Sequence, residues 1–193
     1  MKLQLLIGAT LLSLTGISQS WTKQYDHVDD FICGLSLVGK GDKHGYADKD
    51  GKLVIPLIYD EGMAFSEGMA AVKLDGKWGF VDSTGKLVVP LKYADVLSFH
   101  EDLAVVGNAS YGFIDKTGRT VIEMKYDNAT KFSEGLAAVS KNGAWGYIDK
   151  TGKEVIACKY SFCGIFENGN AKVLKETRWT VIDRTGKKVS DME

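Results

Sequence analysis

The chain has 193 residues, 45% hydrophobic and 25% charged, with 24 basic against 25 acidic side chains. That length suits one domain, and the balance excludes a disordered polyelectrolyte. The even charge, with lysines scattered one or two per turn, excludes the basic stripe of a nucleic-acid binder. Twenty-two glycines beside two prolines indicate many tight turns and few rigid breaks, a composition suited to β-hairpins.

Residues 1–20 stand apart. A single charge, Lys2, precedes an apolar run from Leu3 to Leu14, followed by Thr15, Gly16, Ser18 and Ser20. This is the anatomy of a secretory signal peptide, with cleavage expected before Gln19 or before Trp21. The run is short of the ~20 residues a spanning helix needs, and no second candidate follows, so no transmembrane segment is expected after signal removal. The mature chain, residues 21–193, keeps 23 basic and 25 acidic side chains and is expected to be exported, to a periplasm or outside the cell.

From there one pattern recurs. An aromatic-type ring opens each unit at His44-Gly45, Trp78-Gly79, Tyr111-Gly112, Trp145-Gly146 and Trp179-Thr180, at offsets of 34, 33, 34 and 34 residues. Asp48, Asp82, Asp115, Asp149 and Asp183 follow four residues after the ring, with Gly51, Gly85, Gly118, Gly152 and Gly186 three further on. An aliphatic pair comes next, as in Val88-Val89, then Tyr59, Tyr93, Tyr126 and Tyr160, then Phe65, Phe99, Phe132 and Phe166. Self-similarity at this period marks a repeat architecture. The divisions are a half repeat at 25–43, repeats at 44–77, 78–110, 111–144 and 145–178, and a half repeat at 179–193.

Each piece has a physical reading. Trp78-Gly79-Phe80-Val81 and Leu87-Val88-Val89 are aromatic and β-branched, hence strands. The aspartate between them accepts bonds from backbone amides two or more residues on, while Gly85 supplies a positive φ. A further strand from Met69 to Lys73 turns through Asp75-Gly76 into the next ring. The unit reads as a three-stranded antiparallel meander with the ring strand in the middle. Glycine beside the ring is expected to let an aromatic of the next unit lie flat on the backbone. The expected fold is all-β: meanders stacked as an open twisted array, because about 34 residues cannot hold a core alone. The alternative is a closed propeller-like ring of five units, completed by joining the two half repeats.

These residues resemble the bacterial WG repeat family, named for its Trp-Gly pair, over nearly the whole mature chain. Trp78 to Lys86 and Phe132 to Val139 match most closely. Departures are His44 and Tyr111 for Trp, Thr180 for Gly, and Glu123 and Ala157 where Pro56 and Pro90 stand. The resemblance implies a repetitive β module, often exported, with no catalytic residues to carry over.

The residues themselves supply no catalytic constellation, metal set or cofactor cradle. His27, His44 and His100 have no partner recurring at ligand spacing, and Asp48-Lys49-Asp50-Gly51 lacks the later ligands of a calcium loop. Ser66 and Ser133 sit in Phe-Ser-Glu-Gly connections with no activating base. Glu67, Glu101, Glu134 and Glu167 are expected to be solvated or turn-stabilising. Cys33, Cys158 and Cys163 read as small buried hydrophobes, although an exported compartment would allow Cys158 and Cys163 to pair.

The remaining candidate is an aromatic ladder, Trp78, Tyr111, Trp145 and Trp179 with Tyr59, Tyr93, Tyr126 and Tyr160. It serves either inter-repeat packing or ligand binding, and exposure separates the two. The expected function is a non-enzymatic protein-interaction or scaffold module of the cell envelope. The alternative is carbohydrate or peptidoglycan binding through the repeated rings.

Overall fold

The computed structural model describes residues 20–191; residues 1–19 of the expected leader lie outside them. The described chain opens with a short 3-10 turn, Ser20–Gln24, and then folds into five separate four-stranded antiparallel sheets. Sheet one holds β1 (His27–Val28), β2 (Leu35–Lys40), β3 (Lys43–Asp48) and β4 (Leu53–Tyr59). Sheet two holds β5 (Glu61–Gly62), β6 (Met69–Leu74), β7 (Lys77–Asp82) and β8 (Leu87–Tyr93). Sheet three holds β9 (Asp95–Val96), β10 (Leu103–Gly107), β11 (Tyr111–Asp115) and β12 (Thr120–Tyr126). Sheet four holds β13 (Asn128–Ala129), β14 (Leu136–Lys141), β15 (Ala144–Asp149) and β16 (Glu154–Tyr160). Sheet five holds β17 (Phe162–Cys163), β18 (Asn170–Lys175), β19 (Arg178–Asp183) and β20 (Lys188–Asp191).

Two expectations are corrected here. The unit has four strands, not three: the connecting segment adds a two-residue strand, such as Asp95–Val96 against Val106 and Gly107. Two residues are too few to show an alternating pattern in sequence. The second is the closed-ring alternative: the ring strand lies in the middle of the meander as expected, so the sheets straddle the repeat divisions. Each sheet takes the closing half of one repeat and the opening half of the next, so the leading half repeat completes sheet one by pairing with its ring strand. The trailing half repeat completes sheet five in the same way. The halves therefore do not join one another into a closed ring; every sheet is continuous in sequence and the array is open.

Packing explains why the sheets stack. A sheet's trailing face is the one that meets the following sheet, and its leading face meets the preceding one. Leu136, Tyr147, Ile156 and Tyr160 on the trailing face of sheet four enclose Phe166, Val173 and Ile182 on the leading face of sheet five. Equivalent clusters join sheets one and two, two and three, and three and four. At the centre of each interface the ring two residues after the repeat's opening ring meets the next sheet's phenylalanine. The pairs Tyr46–Phe65, Phe80–Phe99, Phe113–Phe132 and Tyr147–Phe166 have centroids 5.0, 4.9, 4.9 and 4.8 Å apart. Each buried phenylalanine contributes ~2–3 kcal/mol of burial. Where this ring is a tyrosine, its hydroxyl also donates to the next sheet's backbone, Tyr46 to Met63 O and Tyr147 to Gly164 O, both at 2.7 Å.

The glycine after the opening ring has a different role from the one expected. Trp78 pairs with Tyr93 and Phe80 with Val89, so two extra residues bulge from β8 and its backbone folds over Gly79. A Cβ on Gly79 would strike the Val89 carbonyl oxygen, and Gly45, Gly112 and Gly146 would strike the corresponding backbone of their own sheets. The glycine therefore serves the adjacent strand of its own sheet, not an aromatic of the next unit. Sheet five supplies an internal control: Thr180 replaces glycine, and Thr180 and Val181 pair in regular register with Asp191 and Ser190. Gly79→Ala is expected to destabilise the protein by ~3 kcal/mol in urea unfolding. Thr180→Gly should cost no more than ~1 kcal/mol, because no backbone covers it.

The two ends differ. Gly85 packs on Ile55 of sheet one, and Gly118, Gly152 and Gly186 pack likewise on Val89, Ile122 and Ile156. Gly51 of sheet one has no preceding sheet, and the Trp21 side chain takes that place against it. The indole donates to Lys49 O at 3.1 Å and meets Phe31 edge-on at 6.0 Å. The chain thus closes its own leading end.

Candidate functional site

The structure sorts the aromatic ladder by exposure. Tyr59, Tyr93, Tyr126, Tyr160 and Trp78 are buried in the inter-sheet clusters. Each tyrosine lies opposite the opening ring of its own sheet, as Tyr93 does Trp78 and Tyr160 does Trp145. Lysines cover three of them: Lys92, Lys125 and Lys159 sit 5.2, 5.5 and 5.4 Å from the ring centres of Tyr93, Tyr126 and Tyr160. Tyr111 and Trp145 are half-buried, and the Tyr111 hydroxyl donates to Asp95 at 2.9 Å. Trp179 alone among the eight is exposed, at 40%.

The recurring carboxylates form an inter-sheet clasp. Ser66-Glu67-Gly68-Met69 is a two-residue turn with φ of 52° at Glu67 and 83° at Gly68. Left-handed backbone costs a glutamate ~1 kcal/mol or more. The Glu67 carboxylate is thereby aimed at the same turn of the next sheet, accepting from the Glu101 and Asp102 amides at 2.6 and 2.9 Å. Glu101 in turn accepts from Gly135 N at 3.0 Å, and Glu134 from Gly169 N at 2.9 Å. Ser66 and Ser133 hydroxyls donate to Phe99 O and Phe166 O at 2.6 and 2.7 Å. Lys116 bridges Glu67 and Asp102, and Lys150 reaches Glu101 at 3.2 Å. Burial alone would raise the Glu67 carboxyl, but the Asp102 amide and Lys116 hold it below the usual carboxylate range. Glu167 is not part of this column. It stands in the serine slot, and Asn168 holds the left-handed place with φ 53°.

The aspartate turns behave as the sequence indicates. Asp82 Oδ1 accepts from the Thr84 hydroxyl at 2.6 Å, Thr84 N at 2.9 Å and Lys86 N at 3.1 Å. Asp115, Asp149 and Asp183 repeat this set, and in all four the threonine hydroxyl is the main influence lowering the carboxyl pKa.

Histidines and cysteines are dispersed. His27 contacts Asp29, His44 Nδ1 lies 2.9 Å from Asp60 O, and burial lowers the pKa of His100 beside Lys131. All three cysteines are free thiols. Cys33 is exposed rather than buried. Cys158 is half-buried and directed at Val139 O, while Cys163 lies in the core between sheets four and five, where burial pushes its thiol up to about 12. Among the described residues no three His, Cys, Asp or Glu side chains group as a metal site, and no helix is long and apolar enough to cross a membrane.

Two outcomes follow from these carboxylates. Glu67→Ala should cost ~1.5–3 kcal/mol in urea unfolding, since it removes a charged acceptor from two amides. Because the turn aspartates and Glu67 are depressed in the folded state, their contribution is present at neutral pH and lost as pH falls below ~4. Replacing Asp82, Asp115 and Asp149 together by Asn should flatten the fall of the urea midpoint across that acid range.

Sequence reasoning passed over one feature, the trailing face of sheet five. Phe162 is 45% exposed and packs between Trp145 and Trp179, with centroids 6.0 and 5.8 Å away. The signal lay in the departures: Phe162 stands where Glu61, Asp95 and Asn128 stand in sheets two to four.

Comparison with solved structures places the sheet stack among propeller-like β proteins. Kluyveromyces lactis Hsv2 superposes with a TM-score of 0.56 at 13% identity, over 83% of this chain and 60% of that one. PorZ, a bacterial surface component of the type-IX secretion system of Porphyromonas gingivalis, superposes with a TM-score of 0.50 at 9% identity, over 86% of this chain and 28% of that one. The chain therefore spans about three fifths of Hsv2 and a smaller part of PorZ, and these likenesses concern the fold alone. No curated protein matches it in sequence. The model of the WG containing repeat matches four times in succession, at residues 45–78, 78–108, 111–143 and 145–177, and the chain belongs to that family.

Proposed function

We propose that the protein is an exported, non-enzymatic interaction module of the cell envelope whose stacked sheets present one continuous face to a protein partner. The observation carrying this reading is a column of valines, one on the fourth strand of every sheet: Val54, Val88, Val121, Val155 and Val189. Val54 and Val88 are half-buried against the clusters between sheets one and two and between sheets two and three, so the open part of the column starts at sheet three, with exposure rising from 38% at Val121 to 43% at Val155 and 56% at Val189. Leu53, Leu87 and Ile58 add exposed apolar surface on the same strands. Apolar side chains repeated in register on an open surface are what a protein interface uses, whereas isolated ones are ordinary. The leader-like segment before Trp21 supports export.

The prolines support the same division of labour. Pro56 and Pro90 remove a donor from the edge strands of sheets one and two, a protection against unplanned strand pairing. Glu123 and Ala157 leave the edges of sheets three and four without it. Affinity capture from envelope extract with residues 21–193 as bait tests the reading. One protein should be enriched, should survive glycan stripping, and should be lost from a Val121→Glu, Val155→Glu double variant. Equal capture by that variant contradicts it.

A further inference from the structure

We infer that the trailing face of sheet five is a saccharide-binding site, distinct from the valine column, in which Trp179 and Phe162 hold the apolar face of a sugar and Lys172, Asn170 and Glu167 bind its hydroxyls. The reasoning compares this face with the four trailing faces before it. In sheets one to four the positions that meet the next sheet are apolar, for example Leu103, Val105, Phe113 and Ile122 in sheet three. The same positions in sheet five are Asn170, Lys172, Val181 and Ser190.

At the opening-ring level the substitution runs the other way. There β5, β9 and β13 offer Glu61, Asp95 and Asn128, and β6, β10 and β14 offer Lys73, Gly107 and Ser140. Sheet five offers Phe162 and Leu174, paired with each other and, through Leu174, with Trp179. The last face is therefore polar where the others are apolar, and apolar where the others carry polar or small residues.

This inversion determines what can occupy the face. Another sheet, from a second copy or otherwise, would bury the Lys172 ammonium at a position built as Leu37, Ala71, Val105 or Ala138 elsewhere, and an unpaired buried ammonium is strongly disfavoured. Among the described residues neither Lys172 nor Glu167 has an ion pair or side-chain hydrogen bond, so both are free for a ligand.

Val181 replaces the ring that meets the next phenylalanine in every other sheet. Beside it lies a cleft of about 320 Å³ in which Glu167, Asn170 and Lys172 stand with the apolar Ile165, Ala171 and Val181 and with Gly164. That volume is at the lower end for a small-ligand site. Along β18 and β19 it begins two residues from Leu174 and Trp179, roughly 7 Å away on a strand, so a single oligosaccharide reaches both parts. A pyranose has the required character, with an apolar C–H face for an aromatic ring and a rim of hydroxyls for charged and amide groups. Trp21 closes the leading end, whereas among the described residues nothing covers the trailing face of sheet five.

The test titrates residues 21–193 with short oligosaccharides, neutral, N-acetylated and anionic, following tryptophan fluorescence and calorimetry. At least one class should bind saturably. Trp179→Ala and Phe162→Ala should each weaken it about tenfold or more, a typical loss for a removed stacking ring, while the ring contacts they lose lower the unfolding midpoint only slightly. Lys172→Ala should weaken it while keeping the fold, since alanine occupies this position in sheets two and four. The Val121→Glu, Val155→Glu double variant, which disables the protein face, should leave sugar affinity intact, so the two readings fail separately. No binding by any class at millimolar concentration, or equal binding by Trp179→Ala, overturns the inference. So does loss of a captured protein, rather than a sugar, on mutating this face.

Discussion

No sheet in this protein can bury its own core. Each is a single layer whose apolar faces need a neighbour, and the ring–phenylalanine contacts at 4.8–5.0 Å close only when that neighbour is in place. Everything else follows from that requirement. The carboxylates of Glu67, Glu101 and Glu134 are spent on amides of the following sheet. The glycine after the opening ring in sheets one to four admits a bulge that keeps its own fourth strand irregular at the edge. The stack must also do something with its first and last faces, and it treats them differently. One is covered by Trp21, and the other is rebuilt with Asn170, Lys172 and Ser190.

Clasp and core act over different ranges. The aromatic contacts supply burial but little direction, since an apolar face tolerates sliding. The carboxylate-to-turn bonds are directional and fix the register between sheets, with the left-handed Glu67 backbone as the cost of aiming the side chain. The clasp begins only at sheet two, because Cys33 holds the left-handed position in sheet one with φ 55°. It ends at sheet five, where the turn that Glu134 binds through Gly169 N carries Asn168, not a glutamate, in the left-handed place.

Period, strands and turns were legible in the sequence because they are local: an aspartate, a threonine hydroxyl and a glycine within four residues specify the hairpin by themselves. The two-residue first strand of each sheet was not. His27–Val28 and its counterparts are strands only through pairing with β2 and its counterparts, and nothing in two residues announces that. The role of Gly79 was misassigned for a related reason, since the backbone that covers it lies ten residues downstream and belongs to a bulge invisible to periodicity. For the candidate sites, burial of the tyrosines followed from the need for inter-repeat filling. Exposure of Trp179 and Phe162 depends on which sheet is last, and Lys172 in an alanine position acquires meaning only once the faces are aligned.

The central claim is that polar replacements on the last trailing face end the stacking and free that face for a ligand. Sedimentation velocity on a variant with that face restored to the sheet-four pattern, Asn170→Leu, Lys172→Ala, Val181→Tyr and Ser190→Ile, tests it most directly. The account predicts a monomeric parent at all concentrations and concentration-dependent self-association of the restored variant. A parent that already associates through this face, or a restored variant that remains monomeric like the parent, would contradict it.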